Sequence, residues 1–481
     1  MINKKNTKRS IALHIFVVLI ISGLYSNNLN QQPAGDGEKN SPYHIETIEN
    51  LLWLSNNPDK WDKHFIQTAD IDASETKYWN EAKGWMPIGN DSIAFTGTYN
   101  GKNHIISGLY INRPDQNNVG LFGFVSNNNS SGTKETIIRN IGLLNTHITG
   151  NNAVGSLIGS VSGDENTIIE YCFASMGSVK GIESVGGLIG KINSHSVNET
   201  KGPVLKHSYV IINVKLREDI PGKKEKTGGL VGSLNKGKIN NCFTRGSITA
   251  KDGSKIGGIA GYINYYSRIN HTYTAMSFNL MNCEQVGGIA GYNDYTCNNE
   301  KNIANSYWDL ETSGICNYVN TDKTNGKTTK EMKNAFTYKG WFNKSWNIKT
   351  KINSGYPYID FYNTSPQTIL AHYDVIQNNK YVIIEWITIA ENNNKYFTVE
   401  KTTDGHFFET IAYTSGNNSS SNLNFYRIMD TNPGSGNAIY RLTQTGVNGE
   451  KKIFPSMTAP SGVEETKDKQ LYISESFSTS F

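Results

Sequence analysis

A short glycine-rich signature recurs six times in the middle of this 481-residue chain, and it constrains the fold more than any other feature. Each copy has an aliphatic residue or threonine, one or two glycines, two or three mostly apolar residues and a closing glycine. The copies occupy residues 119–123, 154–159, 185–190, 227–232, 256–261 and 286–291. Their closing glycines lie 29 to 42 residues apart. A recurrence near 30 residues indicates a solenoid, in which each repeat buries its apolar side only against its neighbours.

The signature glycines are predicted to be structural residues. A residue without a Cβ atom tolerates a positive φ and lets one backbone layer lie close to the next, so repeated glycines indicate a bend stacked along the solenoid. A phosphate-binding glycine loop would need a helix directly after it, and no helical period follows Gly190 or Gly232. Nucleotide binding is therefore not expected. The predicted structural glycines are Gly123, Gly159, Gly186, Gly187, Gly190, Gly228, Gly229, Gly232, Gly257, Gly258, Gly261, Gly287, Gly288 and Gly291.

A second element lies between the glycine signatures and recurs with them. It has an aliphatic residue, two mostly polar residues and a mainly small residue, followed by an aromatic residue in all copies but the first. Two alternating β-type stretches per repeat predict a coil of short strands and argue against a helical hairpin. Stacking in register would place the fourth residues in one ladder at a spacing of about 4.8 Å. These residues are Ile141, Cys172, Ser208, Cys242, Thr272 and Ser306.

The predicted register separates the five cysteines into two groups. Cys172 and Cys242 would lie two coils apart, at about 10 Å, which exceeds the limit of about 7 Å between Cα atoms for a disulfide. They are therefore predicted to be small buried residues. Cys283 and Cys316 occupy comparable positions in adjacent coils, so a disulfide between them is possible, with Cys297 as an alternative partner.

Residues that could carry chemistry are few and scattered. Asp70 and Asp72 lie two apart on a strand and therefore on one face, where they could bind Ca²⁺ or act as acid and base. A structural hydrogen-bonding role is the simpler interpretation of this pair. The histidines His104, His207 and His271 have no carboxylate at a defined spacing, which is typical of surface or turn residues.

An aromatic residue follows the ladder position in five repeats. Stacked in register, these rings would form either a packed ladder or a stripe on which sugars stack, because aromatic faces pack on apolar surfaces of both kinds. The sequence leaves both alternatives open. The residues are Phe173, Tyr209, Phe243, Tyr273 and Tyr307.

The N-terminal region has the pattern of a secretory signal. Basic residues precede an apolar run at residues 11–21, which is shorter than the roughly 20 residues that a membrane span needs. We therefore predict a signal peptide at residues 1–26 and a flexible lead-in at 27–42, with an uncleaved membrane anchor as the alternative. No membrane-spanning segment is expected after cleavage. Residues 46–55 have apolar residues at near-helical spacing and predict a helix that caps the solenoid.

The composition argues against several partners. The formal net charge is only +4 and no long block of one sign occurs, so neither a nucleic acid nor an anionic membrane is expected. Glycine is abundant, with 46 residues, whereas proline is scarce, with 12, which suits many short strands joined by tight turns. No cofactor and no metal site are predicted.

Together these motifs resemble those of GLUG-motif proteins, which are secreted or surface-attached bacterial factors. Besides the glycine signatures, the resemblance rests on Ala-Asp-Ile-Asp at 69–72, Trp-Met-Pro-Ile-Gly at 85–89, Phe-Thr-Gly-Thr-Tyr-Asn-Gly at 95–101, Ser-Tyr-Trp-Asp at 306–309 and Gly-Tyr-Pro-Tyr-Ile at 355–359. It covers residues 43–361. It implies a right-handed parallel β-solenoid, found in adhesin-like proteins and as a non-catalytic part of some immunoglobulin A peptidases. The zinc-peptidase signature His-Glu-x-x-His is absent from the sequence, so no peptidase domain is inherited.

A different pattern begins near Tyr373. Short alternating stretches separated by turns predict a small β-sandwich at residues 370–455. These residues resemble the fibronectin-type-III-like module near the C-terminus of exported Bacteroidetes proteins. A sorting domain for type IX secretion usually follows in such proteins. Here a polar tail follows at residues 456–481, so that domain is expected to be absent or degenerate.

The sequence therefore predicts an exported all-β protein without enzymatic activity, secreted or held on the outer cell surface. It would bind a glycan, or a host or bacterial surface protein, in the manner of an adhesin. The contacts are expected on variable insertions at residues 194–203 and 217–226. The alternative is a β-solenoid carbohydrate-active enzyme, either a polysaccharide lyase or a hydrolase. It would need acid and base groups that converge on one face, and the candidates are Asp70, Asp72, Asp309 and Glu311.

Overall fold

The structure is a computed structural model. It describes residues 31–127, 134–194, 201–220, 224–264, 266–294, 302–316, 325–341, 346–348, 353–359, 368–378, 381–405, 407–420, 424–434, 438–447, 449, 451–454 and 456–458. The predicted signal peptide lies outside these residues. The chain divides into two compact units, Met1–Ile348 with Tyr356–Phe361 and Lys349–Gly355 with Tyr362–Phe481. None of the described α-helices has both the length and the hydrophobicity that a membrane span needs.

Short strands dominate the first unit, with few helical segments. Its helices are α1 (Ile48–Asn56), α2 (Leu310–Ser313) and α3 (Thr329–Met332), and 3₁₀ turns include Pro58–Lys60, Ser74–Tyr78 and Ala335–Tyr338. Its strands are β1 (Tyr43–Ile45), β2 (His64–Gln67), β3 (Ile71–Asp72), β4 (Thr98–Ser107), β5 (Tyr110–Asn112), β6 (Phe122–Ser126), β7 (Thr136–Leu144), β8 (His147–Thr149), β9 (Asn152–Val154), β10 (Ile158–Gly163), β11 (Thr167–Glu170), β12 (Phe173–Gly181), β13 (Glu183–Gly186), β14 (Ile189–Ser194), β15 (Val204–Lys206), β16 (Tyr209–Leu216), β17 (Lys224–Gly228), β18 (Val231–Leu234), β19 (Lys238–Asn240), β20 (Phe243–Lys251), β21 (Gly253–Gly257), β22 (Ala260–Ile263), β23 (Arg268–Asn270), β24 (Tyr273–Met281), β25 (Glu284–Gly287), β26 (Ala290–Asn293), β27 (Ile303–Ala304), β28 (Tyr307–Asp309), β29 (Gly326–Lys327), β30 (Trp346–Asn347) and β31 (Tyr358–Ile359).

Parallel pairing of successive coils builds this unit into a β-solenoid of about seven turns. One long sheet contains β1–β5, β7, β8 and the equivalent strands of later coils. A second sheet has the order β26-β22-β18-β14-β10-β6, and a third has the order β25-β21-β17-β13-β9. Adjacent coils are in register, since Tyr209 pairs with Phe243 and Phe243 pairs with Tyr273. The predicted all-β class and parallel solenoid are confirmed.

The interior of the solenoid is filled by apolar side chains from equivalent positions. Each fully buried aliphatic side chain contributes about 1.5–3 kcal/mol relative to leaving it in water. The predicted ladder of fourth residues is also inside: Cys172, Ser208, Cys242 and Thr272 are buried, and each carbonyl accepts a backbone bond from the aromatic residue of the next coil. The main row of the core consists of Tyr99, Ile138, Ile169, Leu205, Ile239 and Ile269, none more than 1% exposed.

The signature glycines lie where the backbones of adjacent coils approach each other. A Cβ atom added at Gly187, Gly229 or Gly258 would come within 3.0 Å of a glycine carbonyl oxygen in the next coil. At Gly232 or Gly261 it would crowd the peptide of the preceding coil just as closely. None of the signature glycines has a positive φ. The signature glycines are therefore explained by the close approach of adjacent coils. The expected positive φ is wrong for these residues.

Non-glycine residues take the left-handed backbone, one per coil at each of two turns. One turn directly precedes the signature, where Lys226 and Lys255 have φ values of 62° and 58°. The other precedes the ladder of buried fourth residues. Its φ values run from 45° to 55°, in a region where Asn and His are enriched. Its residues are Asn140, Tyr171, His207, Asn241, His271 and Asn305.

The predicted cap helix is confirmed as α1 at the N-terminal end of the solenoid. Thr47 begins it, because its hydroxyl accepts the Asn50 amide while the Asn50 side chain accepts the Thr47 amide. Leu51 and Leu54 are buried in the solenoid core. The helix thus covers apolar side chains that the first coil would otherwise expose.

The second unit is a small antiparallel sandwich built around one long strand. Its strands are β32 (Ile369–Asn378), β33 (Tyr381–Thr402), β34 (Glu409–Ser420), β35 (Asn424–Asp430), β36 (Ile439–Gly446), β37 (Lys451–Ile453) and β38 (Met457–Thr458). The first half of β33 pairs with β32 and β35, and its second half pairs with β34 and β36. Both halves bury side chains in one core, including Trp386 and Phe397. The predicted β-sandwich is confirmed.

A buried carboxylate, Glu391, stabilises the point where β33 passes between the two sheets. Its Oε1 atom accepts a 2.6 Å bond from the Tyr426 hydroxyl, and its Oε2 atom accepts a 2.8 Å bond from the Asn417 amide. Thr388, Asn394 and Asn424 also donate to it. A buried charge with this many donors holds the surrounding backbone in one arrangement.

Candidate functional site

The two N-terminal carboxylates bind the local backbone. Oδ1 of Asp70 accepts the Ile105 amide at 3.0 Å and lies 3.1 Å from Nδ1 of His104. Oδ1 of Asp72 accepts the Ser74 amide at 2.9 Å, which fixes a turn. Both carboxylates therefore stabilise the first coils.

Asp309 and Glu311 lie at the opposite end of the solenoid. Strand pairing connects Asp72 to Ala275 through six coil-to-coil steps, and Asp309 lies one strand further on. At about 4.8 Å per step, Asp72 and Asp309 are about 34 Å apart. A glycosidase pair needs carboxyl groups within about 10 Å. The structure therefore does not bring the four candidate carboxylates together.

No group of three or more His, Cys, Asp or Glu side chains in the described residues could hold a metal ion. His207 stacks on the ring of Tyr171 at 4.8 Å and lies 3.3 Å from the Asn241 amide nitrogen. His271 packs edge-on against Trp341. Burial lowers the pKa of both His207 and His271, so both are largely neutral at pH 7. Each is part of a left-handed turn.

The aromatic ladder forms a continuous stack. Phe173, Tyr209, Phe243 and Tyr273 have successive ring centroids 4.6–5.1 Å apart and planes within 6° of parallel. Gly142 stands where the first coil would place an aromatic ring, and a Cβ atom there would crowd the Phe173 ring. The ladder therefore begins at Phe173 because the preceding coil leaves room for its ring.

The chain folds back over this ladder and buries its middle. We call the covering side chains the aromatic strap: Met332, Tyr338, Trp341, Trp346, Tyr356 and Ile359. They form one buried cluster with Phe243 and Tyr273, and the Tyr273 hydroxyl donates a 2.7 Å bond to the Pro357 carbonyl. Phe243 and Tyr273 are at most 2% exposed. Of the two alternatives for the aromatic residues, a packed ladder or a stripe on which sugars stack, the packed ladder therefore applies to Phe243 and Tyr273. Their rings offer no face on which a sugar could stack.

Asp309 fastens the strap to the end of the solenoid. Its fully buried side chain begins helix α2 by accepting the amides of Glu311 and Thr312. It also accepts a 2.6 Å bond from the Tyr356 hydroxyl and a 2.9 Å bond from the Thr329 hydroxyl. The sequence indicates Asp309 only as a candidate acid or base, and its structural role could not be predicted because its partners lie up to 47 residues away.

The cysteines fall into the two predicted groups. Cys172 and Cys242 are buried free thiols, and burial raises the pKa of each to about 12. Cys283 is half-buried and Cys316 is exposed, and both are free. The structure therefore lacks the possible disulfide between Cys283 and Cys316. The Cys283 thiol instead donates to the carbonyls of Ala250 and Met281. The alternative partner, Cys297, lies outside the described residues.

The two predicted contact loops are described only in part. Residues 195–200 of the first and 221–223 of the second lie outside the described residues. The second loop begins with a buried anchor, Arg217, which is 4% exposed and donates to the carbonyls of Pro114 and Gly150 in earlier coils. Arg217 also binds both oxygens of Asp219 and lowers the pKa of that carboxylate to about 2. Arg217, the first residue of the second loop, therefore stabilises the solenoid, whereas Glu218 and Asp219 face solvent.

Ion pairs between coils line the turn before the glycine signature. Nζ of Lys226 lies 2.6 Å from Oε1 of Glu183, and Nζ of Lys255 lies 2.8 Å from Oε2 of Glu225. In each pair, a lysine with a left-handed backbone conformation contacts a glutamate in the preceding coil. Partly exposed pairs of this kind add about 1 kcal/mol or less.

Two curated proteins are similar to part of the chain. Halomucin from Haloquadratum walsbyi is 36% identical over 169 residues, which are 34% of this chain and 2% of halomucin. A protein named as a Gly-rich membrane protein from Evansella cellulosilytica is 31% identical over 173 residues, which are 35% of this chain and 19% of that protein. The chain spans less than a fifth of the length of either relative. No family model matches the chain, and no solved structure matches it either.

Proposed function

We propose that this chain is an exported, surface-associated scaffold that binds a glycan or a protein without converting it, in the manner of an adhesin. One observation carries the proposal: the candidate carboxylates Asp72 and Asp309 lie at opposite ends of a closed, packed solenoid. What repeats along the molecule is its outward surface. Solenoids generally use such extended surfaces for binding.

The names of the relatives support the surface location. Halomucin and the Gly-rich membrane protein both carry names that point to surface-associated proteins. The basic and apolar pattern at residues 1–26 is that of an export signal and supports the same location. Attachment to the surface and release into the medium are both compatible with these features.

The arrangement of the second unit supports the proposed fibronectin-type-III-like module. Three strand segments form one sheet, and the remaining strands form the other, around a core that contains Trp386 and Tyr440. Such sandwiches serve as spacers in many cell-surface proteins. In the first unit, the in-register glycine signatures support the proposed GLUG-type repeat.

Binding and turnover can be tested on the same sample. The full chain, purified from secreted material, is applied to glycan and surface-protein arrays, and each hit is then incubated with the protein and examined by mass spectrometry. We expect saturable binding with the ligand recovered intact. Reproducible cleavage of a polysaccharide would favour the carbohydrate-active enzyme instead, and the absence of any hit would contradict the binding function.

The location can be tested by deleting residues 1–26. The full-length chain should be found in the medium or on intact cells, where added protease degrades it. The deletion variant should remain inside the cell and resist protease until lysis. Retention of the full-length chain in the cytoplasm would contradict export.

A further inference from the structure

The later halves of the long strands form an outward-facing polar surface. Strands β5, β8, β12, β16, β20 and β24 pair in parallel here, and in each strand except the last the central residue points into the core and is buried. The flanking residues therefore form two outward ladders. The first consists of Tyr110, His147, Ser178, Asn213, Ser247 and Ser277. The second, which we call the open ladder, consists of Asn112, Thr149, Lys180, Lys215, Thr249 and Asn279.

The two ladders differ in how their side chains are used. In the first, Ser247 donates a 2.7 Å bond to Asn213, and Nδ1 of His147 lies 3.1 Å from the Ser178 hydroxyl. In the open ladder, none of the six side chains forms a hydrogen bond or an ion pair within the described part of the chain. Its donors and acceptors are therefore available to a ligand.

The charge of this surface is one-sided. Neither ladder contains a carboxylate, yet Lys180 and Lys215 occupy directly opposite positions on neighbouring strands. Like charges placed opposite each other repel and lower stability. Lysines at the turn before the glycine signature are paired instead, as Lys226 is with Glu183. Two lysines held directly opposite each other, with no carboxylate on either ladder, therefore favour an anionic ligand.

The carboxylate that interacts with Lys180 does not remove this excess charge. Asp219 lies in the turn after β16, and the positive charge of Lys180 helps to lower the pKa of its carboxyl group. Its oxygens are already held by Arg217, with Nη2 at 2.6 Å from Oδ2. Arg217 and Asp219 neutralise each other, so the positive charge of Lys180 and Lys215 stays uncompensated.

We propose that the open ladder binds a linear acidic polysaccharide, laid along the solenoid axis with its anionic groups on Lys180 and Lys215. Six rungs at about 4.8 Å form a strip about 24 Å long, and a sugar unit in an extended chain advances by a similar step. The polar residues on either side supply hydrogen bonds to hydroxyl groups. This inference rests on the proposed binding function and names its ligand class. It also moves the contact from the variable loops to a strand surface.

The test uses the full chain and two charge-matched double variants. K180Q/K215Q removes the lysine pair, and K191Q/K238Q removes two outward lysines from strands β14 and β19. Polygalacturonate is the carboxylate probe, its fully methyl-esterified form is the uncharged control with the same backbone, and heparin is the sulfate probe. We expect the wild type to bind polygalacturonate, heparin or both, and not the ester. K180Q/K215Q should bind at least tenfold more weakly, whereas K191Q/K238Q should stay within twofold of the wild type.

Stability measurements separate loss of binding from loss of folding. Because K180Q/K215Q removes a repulsion, we expect it to melt at the same temperature as the wild type or higher. Failure of the wild type to bind either acidic polymer would overturn the inference. Equal weakening in both double variants, or equally tight binding of single-stranded DNA, would also overturn it, because each would indicate attraction by general charge.

The outcome also distinguishes this inference from the broader proposal. A neutral glycan or a protein bound equally by the wild type and K180Q/K215Q would refute the open ladder and leave the scaffold function standing. Absence of binding to any glycan or protein would refute both.

Discussion

The Tyr356 hydroxyl donates a 2.6 Å hydrogen bond to Oδ2 of the fully buried Asp309 carboxylate. The ring of Tyr356 also stacks nearly parallel to Tyr273, with centroids 6.0 Å apart. One residue of the aromatic strap thus contacts both the end of the solenoid and the aromatic ladder. The strap is therefore fastened at a buried charge, which keeps the middle of the ladder inside the protein.

Removing this bond should loosen the strap. Tyr356→Phe leaves Asp309 buried with one donor fewer, and we expect a loss of about 1–2 kcal/mol in the free energy of unfolding. Asp309→Ala also removes the cap of helix α2, so its loss should be larger, about 3 kcal/mol. Calorimetric melting of the solenoid transition measures both. Tyr413→Phe is the control, because Tyr413 is 66% exposed and its hydroxyl forms no described hydrogen bond. Equal melting of Tyr356→Phe and the control would contradict the role of the strap.

The signature glycines should differ in their tolerance of a side chain. Gly232→Ala forces a Cβ atom against the backbone of the preceding coil, and we expect a loss of about 2–3 kcal/mol. Gly229 is equivalent to Ser156, whose hydroxyl donates a 2.5 Å bond to the Gly187 carbonyl. Gly229→Ser should therefore destabilise the protein less than Gly229→Ala does. The reverse order in chemical denaturation would contradict the equivalence of Gly229 with Ser156, and a Gly232→Ala variant as stable as the wild type would show that close approach of the coils does not explain the motif.

The thiols should react according to burial. Iodoacetamide applied to the native protein at pH 8 should leave Cys172 and Cys242 unmodified, because both are buried with raised pKa values, and it should modify the exposed Cys316. All three should react after unfolding in guanidinium chloride. Mass spectrometry of peptides identifies the sites. If Cys283 and Cys316 became reactive only after reduction, the disulfide would exist and the free thiols described above would be wrong.

Acid should destabilise the second unit through Asp430. Burial alone would raise the pKa of this carboxyl, but hydrogen bonds from the Asn432 amide, the Tyr440 hydroxyl and Lys401 outweigh burial and lower the pKa below its usual 3.8. A lowered pKa in the folded state stabilises the fold above the pKa of the unfolded state, and this contribution disappears as the pH falls through the folded value.

The variant Asp430→Asn isolates this contribution. At pH 7 it leaves Lys401 without its carboxylate at 3.0 Å, and we expect a loss of about 2–3 kcal/mol relative to the wild type. The difference should shrink as the pH is lowered from 5 to 2. Urea unfolding followed by fluorescence at each pH measures it. A difference that stays constant down to pH 2 would contradict the assigned cause.

The coil architecture follows from the sequence because each coil is one repeat. Gly257 and Gly287 are in register, and so are Tyr209 and Phe243, so the spacing of the motifs along the chain equals one turn of the solenoid. Burial of Cys172 and Cys242 followed from the same register. The sequence does not predict which residues take the left-handed backbone, because a glycine needed for close approach gives the same sequence signal as one needed for a positive φ.

The strap and the open ladder could not be read from the repeats. Tyr273 and Pro357 form a hydrogen bond across 84 residues, and the strap side chains have no periodicity that would predict their partners. The open ladder could not be predicted because nothing in the sequence distinguishes Lys180 and Lys215 from other lysines. Only the pairing of β12 with β16 makes them direct neighbours.

The register of the coils is tested most directly by the distance between spin labels at Thr149 and Asn279. Pulsed electron–electron double resonance measures this distance. These two rungs of the open ladder are 130 residues apart in sequence but four strand steps apart in space. With the cysteines outside the core replaced by serine, we expect one narrow distribution centred near the backbone separation of about 19 Å. A broad distribution, or one centred beyond about 35 Å, would contradict the stacked coils and every inference built on them.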